Sequence, residues 1–106
     1  MRVKRGPVLF MGGSTVATYD VAHFREHGVD LVVIFLTDSA KEKTDAEKRL
    51  LKNAFALCAK SAKLTGHVVL VWPDGFFADQ HLHAFFESVP YEMLVSNINK
   101  KLTCHA

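Results

Sequence analysis

Three runs of uninterrupted apolar residues punctuate this chain: Val8–Met11, Leu31–Leu36 and Val68–Trp72. Turn-forming residues bound each of them. Pro7 and Gly12-Gly13 enclose the first, Gly28 and Asp38-Ser39 the second, and Gly66 and Pro73-Asp74-Gly75 the third. A strand that is apolar on both faces must be covered on both faces. Leu31–Leu36 therefore predicts the central strand of a helix-flanked sheet, with Val8–Met11 and Val68–Trp72 as further strands.

Between these runs the periodicity changes. Ala17, Val21 and Phe24 recur at i, i+4, i+7, which predicts a first helix, capped by Ser14 or Asp20 and closed by Gly28. A competing reading joins Val8–Met11 and Thr15–Tyr19 in a hairpin about Gly12-Gly13, with a short helix from Asp20. Thr44-Asp45-Ala46-Glu47 is a capping box. The stripe Leu50, Leu51, Ala54, Phe55, Cys58 and Ala62 carries that helix to about Leu64, with Gly66 as its stop.

The segment Phe76–Phe86 admits two readings. Leu82, Phe85, Phe86 and Val89 have helical spacing, while Asp74-Gly75 is a turn signal that would fold Phe76-Phe77-Ala78 back on Val68–Trp72 as an edge strand. The chain then predicts a last helix from Pro90, along Tyr91, Leu94, Val95, Ile98 and Leu102.

Strands alternating with helices imply parallel pairing. The expected fold is a small three-layer α/β sandwich, its mostly parallel sheet having roughly three or four strands flanked by helices. Its β-α-β-α-β-β-α order is that of thioredoxin-like domains, without the CxxC pair those enzymes use. If Phe76–Phe86 is helical, a reduced flavodoxin-like or Rossmann-like sheet fits instead.

At 106 residues the chain reads as one domain, 1–106. Its net charge of +2 is too small to point to nucleic acid, whose binders carry a basic stripe. No run reaches the roughly 20 apolar residues that span a bilayer. The start Met-Arg-Val-Lys-Arg lacks the apolar stretch of about 7–15 residues that a secretory signal needs. Cys58 and Cys104 make no disulfide framework, Cys58 reading as a small core residue and Cys104 as a terminal thiol. A soluble, cytoplasmic protein is expected.

Open α/β sheets bind ligands beyond the carboxyl ends of parallel strands. In this reading Gly12, Gly13, Ser14 and Thr15, then Asp38 and Ser39, then Asp74, share that edge. Backbone amides and hydroxyls there suit a phosphorylated or nucleotide-like molecule. The Walker spacing and its lysine are absent, and so is GxGxxG. His81 and His83 would share a face if their segment were a strand, which suits zinc, and would diverge on a helix.

Phe76, Phe77, Phe85 and Phe86, with Trp72 and Tyr91, exceed what a small core readily buries, which predicts a homodimer through the four phenylalanines. No catalytic constellation and no cofactor signature stands out. The expected function is a self-associating binding module rather than an enzyme, with small-ligand binding at the sheet edge as the alternative.

Overall fold

The computed structural model describes residues 16–105. The expected strand Val8–Met11 and the loop Gly12, Gly13, Ser14 and Thr15 lie outside the described residues. Among the described residues five strands form one sheet: β1 (Val16–Glu26), β2 (Val29–Phe35), β3 (His67–Trp72), β4 (Gly75–Phe77) and β5 (Lys100–His105), in the order β4-β3-β2-β1-β5. Only β2 and β3 run parallel, and the other three pairings are antiparallel. The sheet is thus mixed and mostly antiparallel. That overturns the mostly parallel sheet and both of the topologies, thioredoxin-like and flavodoxin-like, expected from the sequence.

Two segments account for the change. Residues 17–24, expected as a helix, are the middle of β1. There Tyr19 and Val21 face one core while Ala22 and Phe24 face the other, an alternation that helical spacing conceals. Gly28 does not end a helix. It follows His27 in a two-residue hairpin loop, with φ of 51° at His27 and 78° at Gly28, between the paired Glu26 and Val29. Two consecutive positive φ values match the right-handed twist of the flanking strands.

The second segment is the C-terminal one. A short helix, Tyr91–Ser96, ends at Asn97, and the chain then re-enters the sheet as β5. Leu102 and Cys104 alternate with Lys101 and Thr103, so the inward residues are still buried at a sheet edge. Asn99 extends this pairing with its side chain. Its amide accepts from the His23 N–H and donates to the His23 carbonyl, both at 2.9 Å, so one residue substitutes for a strand.

The central and third strands and the start of the long helix form as the sequence predicts. The helix ends at Ser61 rather than near Leu64, with Lys63 (φ 64°) and not Gly66 as its left-handed stop. Phe76–Phe86 combines its two readings, an edge strand through Phe77 and a helix from His83. α1 (Asp45–Ser61) starts from Thr44 with both halves of the capping box made. It crosses one face of the sheet and packs Phe55 and Ala59 against Val32, Ile34, Leu70 and Leu102. α2 (His83–Ser88) and α3 (Tyr91–Ser96) cover the other face, where Phe86 and Leu94 meet Leu31, Val33, Val69 and Val71. Val32, Val33, Ile34, Val69 and Leu70 have no exposed surface. Gly66, at φ 140°, passes so close to β2 that a Cβ would stand 2.6 Å from the Asp30 carbonyl oxygen.

The cysteines depart from expectation. Cys58 of α1 and Cys104 of β5 form a disulfide, with Cα atoms 5.8 Å apart. Helix packing over the sheet brings together residues separated by 46 positions, which sequence spacing alone does not show.

Candidate functional site

β1 is divided along its length between two neighbours. Its first half, Val16–Val21, pairs with β5, and its second half, Val21–Glu26, pairs with β2. The β1–β2 ladder ends at the Val21–Ile34 pair, while β2 stays paired with β3, the Leu36 amide donating to the Val71 carbonyl at 2.8 Å. Past that last pair a slot of about 610 Å³ opens between β1 and the carboxyl end of β2. That volume lies inside the range of roughly 300–1,000 Å³ typical of small-molecule sites.

The slot has an apolar floor and a polar rim. Tyr19, Leu36, Leu51 and Phe55 form the floor, with the Tyr19 and Phe55 rings edge to face at 4.8 Å. At the rim the Thr37 and Ser39 hydroxyls are hydrogen-bonded at 2.8 Å, and Lys101 donates to Asp20 at 2.6 Å. Lys43, just before the capping box, also lines the opening. Among the described residues it has no carboxylate within salt-bridge distance. One hydroxyl pair and the Lys43 ammonium beside an apolar floor suit a molecule with an apolar body and an anionic end.

Of the residues expected at the sheet edge, Ser39 lines this slot, while Asp38 is exposed on the 3₁₀ turn Asp38–Glu42. Asp74 lies in the β3–β4 turn, at a separate hollow of about 240 Å³ beside Trp72 and Phe86. Lys41 approaches Asp74 at 3.6 Å, so the two loops are neighbours, as the parallel β2–β3 pair requires. The slot residues Tyr19, Asp20 and Lys101 escaped the sequence reading because they enter the site only through β1 pairing.

The expected zinc pair does not converge. His81, on the turn Gln80–Leu82, meets the His67 ring at 5.2 Å. His83, the first residue of α2, places Nε2 3.0 Å from the Ala78 carbonyl and its ring 5.2 Å from Phe76. Asp79 lies between Lys52 at 3.1 Å and His67 at 3.6 Å. The hydrogen bond from Lys52, aided by the charges of Lys52, His67 and His81, holds its carboxyl below the usual carboxylate range. Among the described residues, no group of three or more His, Cys, Asp or Glu side chains is arranged to hold a metal ion.

The four phenylalanines expected at a dimer interface are packed within the chain to different degrees. Phe86 is buried, while Phe76, Phe77 and Phe85 are half-buried. The Phe85 and Phe86 rings meet edge to face at 4.9 Å. No described helix is long and apolar enough to cross a membrane. No protein family, curated protein or solved structure matches this chain.

Proposed function

We propose that the chain is a non-catalytic binding module whose β1–β2 slot holds a small molecule with an apolar body and an anionic end, nucleotide-like compounds included. The observation that supports this reading is the meeting of an apolar floor with Lys43 and the Thr37–Ser39 hydroxyls at the carboxyl end of β2. Binding to the native state alone raises stability, by about 1.4 kcal/mol at ten times Kd. A thermal-shift panel of aryl phosphates, aromatic carboxylates and nucleoside monophosphates is the direct test. At least one class is expected to raise the melting temperature by several degrees. Lys43→Gln should weaken that ligand, and Leu51→Trp, which fills the floor, should abolish the shift. If no probe moves the transition at millimolar concentration, the reading is lost.

Self-association is a second reading, supported by the half-buried Phe76 and Phe77 on β4, a strand of only three residues at a sheet edge. Size-exclusion chromatography with light scattering is expected to give a dimer mass that Phe77→Glu reduces to a monomer. A monomer at high micromolar concentration in the unaltered chain would refute it.

A further inference from the structure

The outward side of α1 is unusual for a helix that already covers a core. Leu50 and Leu57 are both 70% exposed, far more than the other large apolar residues of this helix. With Ala54 between them they follow i, i+4, i+7 spacing, a stripe of about 10 Å at the helical rise. The stripe borders β5, and a shallow groove of about 570 Å³ runs beside it past Ala54, Leu57, Cys58 and Thr103. The disulfide joins the two walls of this groove.

Its charge leans positive, since Asp45 and Glu47 in the first turn of α1 are outnumbered by Lys48, Arg49, Lys52 and Lys60. Lys48 is taken up by the Trp72 ring at 5.2 Å, and Lys52 by Asp79. Glu47 is engaged in the capping box. Lys43, Arg49, Lys60 and Lys63 have no carboxylate within salt-bridge distance among the described residues. We infer that the α1 face beside β5 docks an acidic, amphipathic helix of another protein. Its apolar residues would cover Leu50, Ala54 and Leu57, and its carboxylates would meet these four cations.

Charge complementarity selects this occupant. The same face of a second copy would set the four cations against one another. Polyanions such as nucleic acid would answer the charges and leave the two leucines exposed. The outward residues of β5 are the polar Lys101 and Thr103, so the apolar anchors sit on the helix and favour a helical partner over an added strand.

The test starts from a random peptide library displayed on phage and selected on the 106-residue chain. Recovered peptides are resynthesised, mapped by backbone amide chemical shifts, and titrated calorimetrically at low and moderate salt. The inference expects enriched sequences with apolar residues at i, i+3 or i+4, and i+7 and a surplus of Asp and Glu. Shifts should concentrate on α1 and β5. Leu57→Lys, or Arg49→Glu with Lys60→Glu, should weaken binding by about 10-fold or more. All three positions are exposed, and thermal melts check that each variant folds. The inference is overturned if nothing is enriched, if the peptides lack an acidic surplus, or if their shifts fall on another face. It is equally overturned if light scattering shows the chain pairing with itself through this face, or if single-stranded DNA or anionic vesicles displace the peptides regardless of Leu57.

Discussion

Leu70→Ala is expected to remove about 3–4 kcal/mol of folding free energy, a large part of the roughly 5–15 kcal/mol available to a domain. Leu70 has no exposed surface and sits on the interior strand β3, paired with Ile34 on β2 and Phe77 on β4. Its side chain belongs to the α1-side core with Trp72 and Phe55. Truncation costs the transfer of the lost methyl groups and leaves a cavity that neighbours on two strands cannot easily fill. Urea unfolding should show a lower midpoint with an unchanged slope, and the melting temperature should fall by roughly 10 °C or more. Leu57→Ala, on the exposed side of α1, is the control and should change stability by less than about 0.5 kcal/mol. A loss below about 1.5 kcal/mol at Leu70 would show that the core between α1 and the sheet is loosely packed at this position.

Breaking the Cys58–Cys104 bond should have an effect of the same order by a different route. The bond closes a loop of 46 positions. In the chain-entropy account, its removal gives the unfolded state about 4 kcal/mol of extra freedom. It also releases β5, an edge strand held otherwise by its ladder with β1 and by the burial of Leu102. Thermal unfolding with and without reductant should therefore differ by tens of degrees at most and by several degrees at least. The doubly substituted chain, Cys58→Ser with Cys104→Ser, should match the reduced protein and ignore reductant. Free thiols by mass spectrometry in the air-oxidised chain, together with identical melts, would contradict the pairing.

The parts of the fold that could be read in advance are those with a single consistent local signal. Leu31–Ile34 and Val68–Trp72 are apolar at every position, and no amphipathic helix shows that pattern. Thr44 and Glu47 announced α1 because a capping box is a local hydrogen-bond arrangement. β1 was hidden because Ala17, Val21 and Phe24 satisfy helical spacing while their neighbours satisfy alternation. Only the pairing with β5 and β2 decides between the two. β5 was hidden because Leu102 also continues the apolar stripe of Tyr91, Leu94, Val95 and Ile98. The site followed the same division. Ser39 was visible at the end of an evident strand, whereas Tyr19, Asp20 and Lys101 depend on the misread one.

The division of β1 between two partners also bears on how the sheet is assembled. Its second half meets β2 through a two-residue loop, so that hairpin closes at little entropic cost. Its first half waits for β5, with Thr18 and Thr103 joined across 85 positions. Contacts of such separation form slowly, since loop closure must come before any gain. On a ribosome, the ladder between β1 and β5 cannot form until β5 has been synthesised. The exposed interval of this chain's folding therefore falls on the first half of β1, whose Thr18, Tyr19 and Asp20 later line the slot.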